Sequence, residues 1–343
     1  MFDKRVYNAS FMSPLKDFEL DTQPIEYRRD ALLNLWCRIN IERTKRVKQG
    51  QDLRDISDLV EKSRERCFFC PENIVKTTPK FPKDIAPEGR LKLGETHIFP
   101  NLFPFAQYHA IATITRDHYL SLEEFTVKQI EDTLKASLDY FKRVNAADEN
   151  ARCATFNWNY MPPSGASIIH PHAQLTVDQD PPFLTNAYLD ASADYLEKNG
   201  ENYWLKLVEE EEKTNERFIK RTGSIAWFTS FVPLGNTEVN AVFDDAQSLG
   251  DLSKGEISEL SMGIKNVLKG YSSLSVQSFN ITSYSAPLGE DTESFRLNFK
   301  FISRPSPSTY YTSDTGFMEV LHRERIVESM PEDVAKTLRA FFD

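Results

Sequence analysis

The chain is sparing with several residue types that carry chemistry: 343 residues include six histidines, four cysteines and only 13 glycines. No apolar run approaches the ~20 residues that cross a bilayer, which excludes a helical membrane protein. A basic excess is missing as well. The net charge of −10 argues against nucleic acid as the main partner, because duplex binders neutralise phosphates with surplus lysine and arginine. An anionic small molecule would need a local cluster of arginines, lysines or backbone donors. Residues 1–20 mix Asp3, Lys4, Arg5, Lys16, Asp17 and Glu19 among apolar positions, unlike the unbroken apolar core of a secretory leader, so a cytoplasmic protein is expected. Cys37, Cys67, Cys70 and Cys153 fit that reducing setting, where a close cysteine pair reads as a metal or redox site more readily than as a disulfide.

What is present is a repeated order of elements. In the first half, Thr96 to Arg116 holds a strand, a turn at Asn101–Pro104 and a β-rich run from Ala110 to Thr115. A helix follows, with Thr126 and Gln129 spaced as a capping box and Ile130, Leu134, Leu138 and Phe141 as its apolar stripe. Two β-type segments close the half, Cys153–Asn159 and Ile168–Asp178. The second half repeats the order: strands at 226–231 and 239–243, a helix, then strands at 275–283 and 295–304. Its helix opens on Ser253 and Glu256, with Ile257, Leu260, Ile264 and Leu268 as the stripe. Superposing the halves sets Arg296, Asn298 and Lys300 against His170, His172 and Gln174, as an internal duplication would. The expected fold is therefore α+β, two related halves at 1–185 and 186–343, each an antiparallel sheet packed with helices. Residues 188–220, with four successive glutamates at 209–212, read as a solvated helical connector whose acidic run is a wet face.

His170-Pro171-His172-Ala173-Gln174 stands out within this frame. Alternation along a strand from Ile168 to Asp178 points His170, His172 and Gln174 to one side. Cys67-Phe68-Phe69-Cys70 has the gap that lets two thiolates reach one tetrahedral ion; a redox pair or two unrelated thiols are the alternatives. A metal site needs two further ligands. His118 and His170 are assigned to it, leaving His97, His109 and His322 as spares. His172 is then available as a neutral nucleophile toward phosphorus, given a hydrogen bond that fixes its tautomer and donors for the phosphoryl oxygens. Gln174 supplies an amide donor, and Gly165-Ala166-Ser167 supplies backbone N–H groups and a hydroxyl.

These residues resemble the galactose-1-phosphate uridylyltransferase branch of the histidine-triad superfamily over most of the chain. The resemblance implies a zinc held by Cys67, Cys70, His118 and His170. It also implies His172 as the nucleophile that carries a nucleoside monophosphate, with Gln174 bracing the phosphoryl group and Ser167 and Gly165 at the phosphate. Arg43 and Arg46 match arginines that serve the phosphates, in some members from the neighbouring subunit, so a homodimer is expected. Phe68, Asn101, Phe103 and Asn157 match positions lining the nucleoside pocket. The implied reaction is a double displacement between a nucleotide sugar and a sugar 1-phosphate, within galactose or other carbohydrate metabolism. Leu102 departs from the acidic residue often found after the pocket asparagine, which leaves the base open. Where the family has a second-half His-x-His strand this chain reads Arg296-Leu297-Asn298-Phe299-Lys300, so no second metal is expected. A phosphorylase of an ADP-sugar or a dinucleoside polyphosphate, and a zinc-stabilised binding protein without catalysis, are the competing readings.

Overall fold

A computed structural model describes residues 1–46, 55–308 and 313–342. The chain opens with a long hairpin, β1 (Asp3–Ser13) and β2 (Glu19–Arg29), continued by β3 (Trp36–Ile39). Two short helices follow, α1 (Ser57–Arg64) and α2 (Ile74–Thr77). The first half proper consists of β4 (Leu91–Leu93), β5 (Thr96–Pro100), β6 (Tyr108–Thr113), α3 (Val127–Ala147), β7 (Cys153–Tyr160) and β8 (His172–Asp178). Helices α4 (Phe183–Asn199) and α5 (Tyr203–Thr214) lead to the second half. There, β9 (Phe218–Thr222), β10 (Ile225–Thr229), β11 (Asn236–Phe243), α6 (Lys254–Ser273), β12 (Phe279–Tyr284) and β13 (Asn298–Ser303) repeat the series. Helix α7 (Phe317–Leu321), β14 (Arg325–Val327) and α8 (Pro331–Arg339) end it.

The duplication is written in the topology. Ten strands form one sheet in the order β4-β5-β6-β8-β7-β12-β13-β11-β10-β9, the same path read inward from either edge. The halves meet at the antiparallel pair β7–β12, where Asn157 faces Thr282. From that centre, Asn157 pairs with Gln174 on one side and Thr282 pairs with Lys300 on the other. Lys300 is therefore the mirror position of Gln174, as the superposition of the two halves predicts. Local chemistry repeats too. Thr126 Oγ1 accepts the Gln129 amide (3.2 Å) at the start of α3, and Ser253 Oγ accepts the Glu256 amide (3.2 Å) at the start of α6. Such caps satisfy amides that the first helical turn leaves unpaired. Six residues past each cap, a carboxylate reaches a hairpin turn: Asp132 over Gly94 and Glu259 over Gly223. Both glycines have left-handed backbones, φ 57° and 54°, and the carboxylates fill the space a Cβ would need.

One sheet face carries α3 and α6. Ala173, Leu175 and Val177 of β8, Trp158 of β7, Phe299 and Phe301 of β13, and both predicted helix stripes are buried together there. Burying side chains of this size stabilises the fold by roughly 1.5–3 kcal/mol each. The opposite face carries the row containing Gln174, Asn157, Thr282 and Lys300, because directly paired residues of antiparallel strands share a side. Residues 67–74 cover that face over the first half. Helices α4 and α5 cover it over the second, packing Tyr188, Tyr203, Trp204 and Val208 onto Phe228, Val242 and Tyr284.

Two expectations are corrected here. The connector is two helices that close the second half's polar face, not one solvated helix. Within its acidic run Glu211 is fully buried and pairs with Arg217 at 3.0 Å. The histidine strand begins at His172 instead of Ile168, for Pro171 has no N–H to give a ladder. His170 thus lies ahead of the strand and is turned toward the cysteines. The division expected at 185/186 falls inside α4.

Candidate functional site

Cys67 and Cys70 are held by a tight turn leading into α2. The Cys70 carbonyl accepts the amides of Asn73 (2.9 Å) and Ile74 (3.0 Å), and the Asn73 side-chain amide caps the Cys67 carbonyl at 2.8 Å. His118 comes from the segment between β6 and α3, and His170 from the segment before β8. All four residues are buried, and their ligand atoms lie within 4.8 Å of one another. His118 Nδ1 is 3.4 Å from Cys70 Sγ, and His170 Nδ1 is 3.7 and 3.8 Å from Cys70 and Cys67. Tetrahedral coordination with Zn–S near 2.3 Å and Zn–N near 2.05 Å puts S and N about 3.6 Å apart, so the donor set fits such an ion. The outer nitrogens are already committed. His170 Nε2 donates to the Thr115 carbonyl at 2.9 Å, and His118 Nε2 donates to Ser63 Oγ at 2.8 Å, whose own proton goes to the Val60 carbonyl. Each bond leaves Nδ1 as the lone pair facing the thiols, the usual arrangement of a metal-ligating histidine. Burial pushes the His170 imidazole down to about 4. Burial, then the neighbouring Cys67, pushes the Cys70 thiol up to about 12. A bound divalent cation reverses the second effect by favouring the thiolate.

His172, two residues on, has a different fate. Its Nδ1 donates to the His170 carbonyl at 2.8 Å, which fixes the proton on Nδ1. Its Nε2 has no hydrogen bond among the described residues. Burial holds the imidazole below its ordinary range, so the ring is neutral near pH 7. Phe69 stands edge-on to it with centroids 5.3 Å apart.

Gln174 is oriented by a residue that the sequence reading left spare. The His109 ring accepts the Phe105 amide at Nδ1 (3.4 Å), so Nε2 carries the proton and donates to Gln174 Oε1 at 3.0 Å. The Gln174 amide nitrogen is thereby left free to donate. His109 was legible in principle: on β6 it alternates with Ile111 and Thr113, which pair with Gln174 and His172.

Beside Gln174 opens a cavity of about 670 Å³, bounded by Asn157, Asn159, Gly165, Thr176, Thr282 and Tyr284 among others. Asn157 is locked by Thr155 Oγ1 (2.8 Å) and Thr282 Oγ1 (2.6 Å). Gly165 has φ 93°, a turn that a side chain would resist, and it is exposed, as is Ser167. Asn101 does not bound this cavity. Its Oδ1 caps the Phe103 amide at 3.0 Å, shaping the turn. Phe68 and Phe103 are exposed, 56% and 83%, and Phe105, unremarked in the sequence, bounds the cavity instead. Asn159, also unremarked, shares the face of Asn157 by alternation and binds Asn280 at 2.6 Å.

Arg43 and Arg46 are not brought to this cavity within the chain. They bound a second one, together with Arg38, Arg304 and Glu328. A chain of hydrogen bonds links a residue of each cavity: Arg304 donates to Asn280 Oδ1 (2.9 Å), and Asn280 donates to Asn159 Oδ1. No helix is long and apolar enough to cross a membrane among the described residues.

No protein-family model matches the chain. An uncharacterized protein of Archaeoglobus fulgidus is 30% identical over 326 residues, covering 94% of this chain and 93% of its own. Among solved structures, an ADP-glucose phosphorylase from Arabidopsis thaliana with bound ADP-glucose superposes with a TM-score of 0.72 at 19% identity, over 92% of this chain and 98% of that one. A GalT-like protein from the same plant gives 0.68 at 18%, over 91% and 98%. A uridylyltransferase gives 0.67 at 19%, over 92% and 98%. The chain accordingly belongs to one family with the Archaeoglobus protein, and it shares the fold of the ADP-glucose phosphorylase, GalT-like and uridylyltransferase structures.

Proposed function

We propose that this protein is a nucleotidyltransferase that works by double displacement through His172, taking a nucleotide sugar and a sugar 1-phosphate. One observation carries the reading: a buried, neutral imidazole with its proton fixed on Nδ1 and no partner on Nε2 among the described residues. In the first step Nε2 attacks the α-phosphorus of the nucleotide sugar, the N–P bond forms, and the P–O bond to the departing sugar 1-phosphate breaks. Positive charge developing on the ring is met by the Nδ1–H bond to the His170 carbonyl. In the second step a phosphate oxygen of the acceptor attacks phosphorus and the N–P bond breaks, returning the neutral imidazole. Both steps depend on positioning and on donors to the phosphoryl oxygens. The Gln174 amide, the Gly165–Ser167 loop and the Ser167 hydroxyl are suited to that task, and Arg43 and Arg46 to the remaining phosphate charge. Phe68, Phe103, Asn101 and Asn157 are assigned to the nucleoside. Cys67, Cys70, His118 and His170 would hold zinc, which in a closed four-ligand site supplies folding free energy. Residues 1–185 then form the half bearing zinc and nucleophile, and 186–343 the half whose matching face is covered.

A phosphorylase reading, in which inorganic phosphate is the acceptor, is kept alive by Leu102. It is 64% exposed beside Asn101 and offers no carboxylate to a nucleoside. Incubation with nucleotide sugar labelled in the α-phosphate is expected to leave an acid-labile adduct on the wild type and none on His172→Ala. An undiminished adduct on the variant would overturn the assignment. Adding hexose 1-phosphate or inorganic phosphate to the labelled protein separates the two acceptors by product.

A further inference from the structure

Arg43 and Arg46 share a single carboxylate oxygen. Glu328 Oε1 lies 3.1 Å from Arg46 Nη2 and 3.7 Å from Arg43 Nε. The other cations of that cavity are individually neutralised: Arg38 is gripped at two points by Glu324 (2.6 and 3.2 Å), and Arg304 by Asp314 (2.7 Å). The pair at 43 and 46 is thus the one place there, among the described residues, where two guanidiniums meet one carboxylate. Glu328 is placed by its backbone, not by the arginines. Its amide donates to Asn236 Oδ1 at 2.8 Å, and β14 just before it pairs with β3, which leads into the arginine segment. The Glu328 side chain is 17% exposed, whereas those of Arg43 and Arg46 are 43% and 46% exposed. A pre-placed acceptor therefore faces two half-exposed donors.

We propose that Glu328 is a resident counter-ion standing where a phosphate group binds between Arg43 and Arg46, so that it positions the pair and sets its affinity for anions. Carboxylate and phosphate oxygens accept from guanidinium in the same planar, forked manner. With both arginines half-exposed and the Arg43 contact as long as 3.7 Å, the ion pair is screened, and so exchangeable. A phosphate group displaces the Glu328 carboxylate, which remains nearby as a negative charge that weakens the new complex. Glu328 would thereby discriminate against singly charged anions and favour ligands with enough charge to win the exchange, the diphosphate of a nucleotide sugar above all. This inference rests on the reading that Arg43 and Arg46 serve phosphates.

The test is calorimetric titration of the full chain with inorganic pyrophosphate, with orthophosphate alongside, for wild type, Glu328→Gln, Arg43→Gln/Arg46→Gln and the triple variant. Glu328→Gln is expected to bind pyrophosphate about three- to tenfold more tightly, with a steeper loss of affinity as salt rises. The gain should vanish in the triple variant. Glu328→Asp, which retracts the carboxylate by one methylene, is expected to tighten binding less, and it serves if the glutamine variant does not fold. Unchanged or weaker binding by both Glu328 variants, or a gain that survives without the arginines, overturns the counter-ion role. If Arg43→Gln/Arg46→Gln leaves wild-type pyrophosphate affinity intact, the phosphate reading of the arginines fails instead, independently of the adduct on His172. A gain for pyrophosphate over orthophosphate identifies the diphosphate as the group received.

Discussion

His109 Nε2 lies 3.0 Å from Gln174 Oε1, and through that bond an aromatic-lined turn controls which way the glutamine amide points. His109 is itself 4% exposed and held at Nδ1 by the Phe105 amide. In the proposed reaction, removing it frees Gln174 to rotate its oxygen toward the phosphoryl group, where an acceptor repels. His109→Phe is expected to slow adduct formation about tenfold to a hundredfold, the scale of one to two lost hydrogen bonds, with the circular dichroism spectrum unchanged. His109→Gln, which retains a donor, should recover part of the rate. Equal rates for wild type and His109→Phe would remove the residue from the site.

The two histidines separated by Pro171 should fail in different ways. His170→Ala and Cys67→Ser are expected to lower unfolding free energy by several kcal/mol through loss of metal-linked folding. His172→Ala should unfold like wild type. Elemental analysis should return about one zinc per chain for wild type and His172→Ala, and chelation should mimic Cys67→Ser. A metal-free protein of full stability would contradict the four-ligand site.

Glu211 gives the fold a pH signature. Burial, against the opposing pull of Arg217, pushes its carboxyl up to about 7. A raised carboxyl pKa means the native state prefers the protonated form. The stabilisation is complete below the ordinary carboxylate value near 4.3 and is lost as pH climbs through 7. Between those limits wild type should lose up to ~3 kcal/mol relative to Glu211→Gln, measured by urea unfolding at several pH values. Parallel pH profiles for the two proteins would show that Arg217 keeps Glu211 ionised throughout.

Gly223 and Glu259 offer a test of the repeated turn. Alanine at 223 must hold φ near 54° and displace the Glu259 carboxylate. Gly223→Ala is expected to cost roughly 2–3 kcal/mol, against about 1 kcal/mol for the backbone alone. In a Glu259→Ala background the cost should fall toward the smaller figure, and a double-mutant cycle reads the difference. The same cycle at Gly94 and Asp132 should give a similar coupling.

What could be read before any coordinates was local or periodic. The capping boxes at Thr126 and Ser253 and the stripes of α3 and α6 follow from spacing within one element, and the match of Lys300 to Gln174 from the repeated order of elements. Cys67, Cys70, His118 and His170 were legible as a set because so few soft ligands are present. What escaped depends on partners elsewhere in the chain. Glu211 looks like part of a wet acidic face until Arg217 is seen beneath it, itself bonded to Glu332 at 2.9 Å. His109 has no motif of its own, and its role exists only through the pairing of β6 with β8. The strand start moved because one proline outweighed a run of strand-forming residues.

The hydrogen bond between Asn157 and Thr282, 2.6 Å long, sits at the seam of the duplication and makes the two copies interdependent. The half without the His-x-His pair is not free to drift. Thr282, Ser283 and Tyr284 from that copy form the far wall of the cavity beside Gln174, so a substitution on β12 alters the reactive half as directly as one on β7. The second copy is thus held to the first by the strand at their seam, whatever side chains its own face carries.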